Sequence, residues 1–264
     1  MSHPITDVVV LTHNRLSVTK LFIEAISRNT DEDSFRLIFV DNASTDGTRE
    51  YLIEEASKNR WHFIPQEENL GVIGGRNVGA QAVEAEYFVN LDNDQFPEEN
   101  WLQILHDRMS QGYDIVGCEA WRMTSAKPVS SPTIAAMRRP FYPYYRCTVA
   151  GEPFHYIGCG GMLIRKKVYE IVGIPNDDAE LDLFDPRFNP AYFEDPDLCW
   201  RAIVAGFKLA WEPKCRIKHL AHQTIGTQRL FDKGSQFQKS WLAFREKWKT
   251  YHPGDLKTEG ELYE

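Results

Sequence analysis

Short β-branched runs that close on Asp, Asn and other polar residues, separated by helical patterns, constrain this chain more than any other feature. Strand and helix in alternation build a mostly parallel sheet with helices on both faces. Asp7-Val-Val-Val-Leu-Thr12 has the continuous apolar character of a buried strand. Behind it Val18, Leu21, Phe22, Ala25 and Ile26 recur at helical spacing, and Ser17 suits an N-cap, so 17–28 reads as an amphipathic helix. Phe35 to Val40 reads as a second strand, with Thr48 placed to cap a helix running through Ala56. Trp61 to Pro65 and Tyr87 to Leu91 read as further strands. In open parallel sheets ligands bind beyond the carboxyl ends of the strands, where these polar clusters stand. The N-terminal part is therefore expected to form a crevice of nucleotide size.

From Pro97 the pattern loosens into a helix over 99–110, a strand over 115–119, an irregular stretch over 125–154 and a polar helix over 235–249. With 264 residues, 42% of them apolar and 26% charged, the chain has ample core material, and one domain is the economical reading. The net charge of −8 disfavours extended nucleic-acid binding and leaves room only for a local basic patch. Five cysteines (118, 147, 159, 199 and 215) form no close pair, which argues against a disulfide framework or a zinc knuckle and suits a reducing compartment. Apolar runs such as Val8 to Leu11 fall far short of the ~20 residues of a membrane span, and the first seven residues lack signal-peptide character. A cytoplasmic location is expected, with peripheral membrane contact compatible.

Several constellations could carry chemistry, each beside a structural alternative. Asp92 and Asp94 stand two apart at a strand end, so both carboxylates can face one site while Asn93 faces away. Such oxygens suit Mg²⁺ or Mn²⁺, although Asp and Asn also simply favour turns. Gly71, Gly74, Gly75 and Gly79 miss the dinucleotide spacing, and close approach of the backbone to a ligand or a neighbouring helix would equally call for glycine. Arg76 among them can meet a phosphate or form an ion pair. Asp195 before Pro196 reads either as a helix cap or, beside Glu194, as a general base held at a helix entrance. His219 or His222 could complete a carboxylate metal site, or be an ordinary surface or core histidine. The Arg138 to Arg146 segment mixes cations with aromatics, as a sugar-binding surface, a membrane interface or a ligand-free loop would.

Their order along the chain is specific: VVVLTHNR, DNASTDGT, NLGVIGGRNVGA, LDND, GCGGMLIRK, FEDPDLCWRA and then P-x5-H. Together they resemble the family 2 glycosyltransferases of the GT-A fold, over about residues 6–226. The resemblance implies an α/β, GT-A-like (Rossmann-like) three-layer sandwich with a mixed, mainly parallel central sheet. It also implies sugar transfer from a nucleotide diphosphate, with UDP favoured, to an acceptor hydroxyl on a saccharide, a lipid-linked molecule or another carrier, a modified nucleobase included. Residues 1–94 would form the nucleotide-sugar half, 95–226 the acceptor half, and 227–264 a helical tail packed on the same domain. By the same resemblance Thr12, Asn14, Asp41 and Arg76 would hold the nucleotide, and Asp92 would lie near the ribose and the metal. Asp94 and His219 would ligate Mn²⁺ or Mg²⁺, Gly160 and Gly161 would line the sugar pocket, and Asp195, beside Glu194, would be the base of an inverting reaction. His13, where Tyr is commoner, and an acidic loop over 174–183 depart from the pattern. Two competing readings remain: a sugar-phosphate nucleotidyltransferase, which lacks support because 11–15 contain no glycine, and a non-catalytic carbohydrate-binding protein.

Overall fold

Val8, Val9 and Val10 end up wholly enclosed in the middle of an eight-stranded sheet. The structure, a computed structural model, describes residues 5–59, 61–122, 144–149, 152–158, 160–220 and 232–249. Its elements are β1 (Thr6–Thr12), α1 (Leu16–Asn29), β2 (Phe35–Asp41), α2 (Thr48–Asn59), β3 (His62–Pro65), α3 (Gly71–Gln81) and β4 (Tyr87–Asp92). There follow β5 (Gln95–Pro97), α4 (Trp101–Met109), β6 (Ile115–Arg122), β7 (Tyr144–Val149), β8 (Glu152–Ile157), β9 (Met162–Arg165) and α5 (Lys166–Val172). The chain continues through β10 (Ile174–Pro175), β11 (Leu181–Asp182), α6 (Glu194–Val204), β12 (Leu209–His219) and α7 (Lys233–Trp248). The sheet order is β3-β2-β1-β4-β9-β6-β12-β5. The first four strands run parallel, β9 is antiparallel to both its neighbours, β12 is parallel to β6, and β5 is an antiparallel edge.

Alternate side chains of β1 feed two cores, one on each face, giving three layers. Val8 and Val10 pack with Phe22 and Ile26 of α1 and with Trp101 and Leu105 of α4. Val9 joins Ile73 and Ala80 of α3, Val168 of α5, Leu198 of α6 and Phe244 of α7. Enclosing each such side chain contributes roughly 1.5–3 kcal/mol.

The glycine-rich segment forms α3. A Cβ on Gly79 would lie 2.3 Å from Cγ1 of Val9, and one on Gly75 2.4 Å from Cδ1 of Leu11. The glycines thus serve close approach of this helix to β1, and that seats Arg76 low over the sheet.

Two capping expectations are corrected. Helix α1 begins at Leu16, with Arg15 in the left-handed region at the cap position (φ 70°), so Ser17 lies inside the helix. Thr48 likewise is the first residue of α2. A single carboxylate does both jobs: Asp46 Oδ2 accepts from the amides of Arg15 (2.6 Å) and Leu16 (3.2 Å), while Oδ1 accepts from the Thr48 amide (3.2 Å) and hydroxyl (2.6 Å). Burial opposes ionisation of Asp46, but these bonds outweigh it and hold the carboxyl below its ordinary range. The stretch expected to be irregular contains β7 and part of β8, which pair antiparallel, and the acidic loop closes through the short β10–β11 pair. In the tail, Asp232 caps α7 by accepting from the Ser235 amide at 2.9 Å.

Candidate active site

At the end of β4 the chain turns sharply, and the Asp92 amide donates to Oε1 of Gln95 at 2.9 Å. The side chain of Asn93 turns toward α1, donating to the Thr19 hydroxyl (2.9 Å) and the Asn14 carbonyl (3.3 Å). On β12, His219 pairs in register with Gln95, and the next amide, Leu220, donates to the Asp94 carbonyl at 2.8 Å. Nε2 of His219 therefore stands 3.2 Å from Oδ1 of Asp94. One ligand atom from each of Asp92, Asp94 and His219 lies within 4.8 Å of the others. Oδ1 of Asp94 is buried, and His219 is the group that meets it. Two hard oxygens and an imidazole nitrogen so placed fit Mg²⁺ or Mn²⁺. Burial lowers the His219 pKa, but the Asp94 contact and the charges of Asp94 and Asp92 outweigh it, so the imidazole titrates above its usual value. His222 and residues 137–143 lie outside the described residues.

Arg76 joins this cluster to α6. Its Nη2 lies 2.9 Å from Oδ1 and 3.1 Å from Oδ2 of Asp92, and its Nη1 3.9 Å from Oε1 of Glu194. Of the two roles open to Arg76, the ion pair is present. Glu194 and Asp195 open α6, whose cap position belongs to Phe193, in left-handed conformation and without a side-chain cap bond. The cap expected at Asp195 is corrected accordingly: Tyr192 and Phe193 both take positive φ (77° and 69°), so the chain turns into the helix before Glu194 and puts Pro196 third. Two such residues in sequence cost energy that the surrounding packing must supply.

Burial pushes the Glu194 carboxyl well above the ordinary carboxylate range, and the charges of Asp195 and Asp92 add to this against the opposing Arg76. A carboxyl whose pKa is raised on folding stabilises fully below its unfolded value, roughly 4.3, and that contribution is lost as pH rises through the folded value. Glu194→Gln is therefore expected to gain stability on the wild type progressively above pH 5, levelling off on the alkaline side. Urea midpoints for both proteins from pH 5 to pH 9 check this; parallel curves would refute it.

The residues expected around the nucleotide line the neighbouring strand ends. Asp41 is fully enclosed; its Oδ2 accepts from Arg49 Nε (2.7 Å) and the Ser44 amide (3.3 Å), while Oδ1 is buried without a hydrogen bond among the described residues. Thr12 is buried, its hydroxyl donating to the Val40 carbonyl at 3.1 Å. Asn14 ties two loops together, its Oδ1 accepting from the Thr45 amide (2.7 Å) and its own amide donating to Ser44 Oγ (2.7 Å). Gly161 sits at φ +85°, where a Cβ would be 2.3 Å from Cδ1 of Ile217, and a Cβ on Gly160 would be 2.5 Å from Nε2 of Gln95. Both positions are thus held small by their own neighbours.

Sequence reasoning missed Asn42, Asp46 and Gln95, which organise these loops. Asn42 accepts from the Leu70 amide (2.8 Å) and donates to the side chain of Asn69 (2.9 Å) and the carbonyl of Gly71 (3.0 Å). All three stand within or beside the polar clusters, the one signal that could have found them.

Parallel strands, a carboxylate pair at the central strand end and a compact His/Asp cluster place a candidate ligand site at the carboxyl edge of an α/β sheet. The model of glycosyl transferase family 2 matches residues 7–172, more than half of the chain, and the chain belongs to that family. The putative glycosyltransferase EpsH of Bacillus subtilis (strain 168) is 24% identical over 118 residues, covering 45% of this chain and 34% of EpsH. The chain spans about a third of the length of the curated relatives it matches. Among solved structures, GalNAc-T7 with UDP, GalNAc and Mn²⁺ superposes with a TM-score of 0.64 at 14% identity, over 82% of this chain and 44% of that one. The mannosyltransferase PcManGT of Pyrobaculum calidifontis, in complex with GDP-Man and Mn²⁺, gives 0.57 at 15% identity, over 82% and 57%. These likenesses establish the fold, a mixed α/β sandwich of the GT-A kind with a mainly parallel sheet. No helix among the described residues is long and apolar enough to cross a membrane.

Proposed function

We propose that the protein is a metal-dependent, inverting glycosyltransferase that moves a sugar from a nucleoside diphosphate, UDP foremost, to an acceptor hydroxyl. The observation that carries this reading is the continuous line of ionisable groups from His219 and Asp94 through Asp92 and Arg76 to Glu194, whose chain neighbour is Asp195. Asp94 and His219, with Asp92 beside them, would hold Mn²⁺ or Mg²⁺. That cation supplies positive charge for a departing nucleoside diphosphate. Mn²⁺ in the GalNAc-T7 and PcManGT structures supports the choice of ion.

The geometry supports a role for each of the protein's own residues. Asp41 offers a buried, unfilled acceptor oxygen suited to an N–H of the nucleobase, with Thr12 and Asn14 building the same strand ends. Arg76 acts on the donor side by fixing and partly neutralising Asp92. Gly160 and Gly161 keep the chain beside Gln95 free of side chains where the sugar would lie. Asp195 takes the proton of the acceptor hydroxyl as that oxygen attacks the anomeric carbon, while the diphosphate leaves from the opposite face, so the configuration inverts. Glu194, held toward its neutral form, spares Asp195 a second full negative charge. The acceptor class spans saccharide and lipid-linked hydroxyls, and a location in the cytoplasm, with peripheral membrane contact, fits this chemistry.

Calorimetry with UDP, GDP and dTDP, each with Mn²⁺, tests the donor half. UDP is expected to bind only with Mn²⁺, and Asp94→Asn to weaken that binding by more than the roughly 10–100-fold typical of losing a residue that merely supports a ligand. Failure of all three nucleotides to bind would overturn the enzymatic reading in favour of a non-catalytic carbohydrate-binding protein.

A further inference from the structure

Exposed large apolar side chains are scattered over the described residues, one each at Ile5, Ile53, Ile171 and Val204, except on α7. There Phe237, Trp241 and Leu242 are 53%, 39% and 51% exposed on a single helix. Isolated exposed residues need no explanation, whereas a cluster marks a contact surface. The inward side of α7 is already used: Ser240 donates to the Ala191 carbonyl at 3.0 Å, and Phe244 and, in part, Phe237 pack on Phe193, which leaves Trp241 and Leu242 as the outward apolar pair.

Charge identifies what the outward side can meet. Residues 233–249 carry Lys233, Lys239, Arg245, Lys247 and Lys249 against Glu246 alone, within a chain of net charge −8. Lys247 turns inward to Asp185 (2.8 Å) and Asp197 (2.6 Å), but Lys239, Arg245 and Lys249 are exposed. The Arg245 guanidinium lies 4.8 Å from the centre of the Trp241 ring. Protein-binding surfaces are depleted in lysine, while apolar and aromatic side chains bordered by cations are the composition of helices that lie in the interface of an anionic bilayer. We propose that the outward face of α7 docks on an anionic lipid surface, with Trp241 and Leu242 entering the headgroup region and Lys239 and Arg245 meeting lipid phosphates.

The acidic remainder of the chain is repelled by such a surface, so this helix sets the orientation of approach. Phe237 also packs on Tyr192 and Phe193 (ring centres 5.7 and 5.2 Å), directly before Glu194 and Asp195. Docking thus brings the entrance of α6 near the lipid. Only the corollary that a lipid-borne acceptor would arrive there rests on the role proposed for Asp195.

The test is co-sedimentation of the full chain with vesicles of phosphatidylcholine alone and with about one-third phosphatidylglycerol, at low and high salt. Binding is expected to the anionic vesicles only and to weaken with salt. Trp241→Ser with Leu242→Ser, and separately Lys239→Glu with Arg245→Glu, should each lower that affinity about tenfold or more. Mn²⁺-dependent UDP binding should stay unchanged in both. Wild type that stays in solution, or affinity unchanged in both double variants, overturns the proposal. So does a concentration-dependent dimer, abolished by the same substitutions, without vesicle binding. Loss of UDP binding in every preparation, with vesicle binding intact, would instead sink the enzymatic reading and leave the docking surface standing.

Discussion

Asn in place of Asp195 is expected to lower kcat by about 10²–10⁴-fold, the contribution of a well-placed general base, while the affinity for UDP with Mn²⁺ stays at the wild-type value. The reasoning starts from α6. Phe193 occupies the cap position, so the helix does not depend on Asp195 for its start. The substitution keeps size and most hydrogen-bonding capacity and removes only the ability to hold a proton. Glu194→Gln supplies the contrast. Its carboxyl is already held toward the neutral form by burial and by Asp195, so a neutral isostere should leave kcat within about fivefold, far less than a general base is worth. Single-turnover rates and calorimetry on both variants read the two effects apart. Parallel loss of rate and donor binding in Asp195→Asn would mean that the residue shapes the site and takes no proton.

The same contrast shows which parts of the molecule a sequence can disclose. β1 and α1 are legible because each rests on a local signal: an unbroken Val run between two covered faces, and apolar residues recurring at the helical period. Asp92, Asp94, Glu194 and Asp195 are legible as carboxylates close together in sequence. What they meet is not, since Arg76 reaches Asp92 and Glu194 only after α3 and α6 have packed on the sheet. That α3 is a helix is hidden by its glycines, which disfavour isolated helices and are selected here by contact with Val9 and Leu11. In β12, Pro213 argues against a strand, yet the ladder shifts register between Glu212 and Arg216 and so accommodates it. Asp195-Pro196 points to a helix starting two residues later than it does, because the positive φ of Tyr192 and Phe193 leaves no mark in residue type.

Asp197→Ala is expected to cost about 3–5 kcal/mol, the penalty for removing one partner from a buried ion pair and leaving the other charged. Asp197 is fully enclosed, and three donors converge on its carboxylate: Arg201 Nε (2.8 Å), Lys247 Nζ (2.6 Å, with a second contact at 2.8 Å) and Trp248 Nε1 (2.9 Å), while its own amide donates to the Phe193 carbonyl (3.1 Å). Arg201 also donates to the carbonyls of Val172 and Leu183, so it cannot swing into solvent without breaking those bonds. Lys247 keeps Asp185, whose burial is outweighed by Lys247 and Arg187 so that it ionises below its ordinary range; the loss is therefore shared unequally between the two cations. Against a total stability of about 5–15 kcal/mol, such a change lowers the denaturant midpoint by a large fraction. Asn at this position retains an acceptor for Trp248 and should recover part of the loss. Because Asp197 joins α7 to the helix that begins with Glu194 and Asp195, Asp197→Ala should also lower kcat at temperatures where the protein is still folded, with Asn intermediate. A midpoint within about 1 kcal/mol of wild type, the worth of an exposed ion pair, would show that the cluster is solvated and that α7 is held by its aromatic contacts alone.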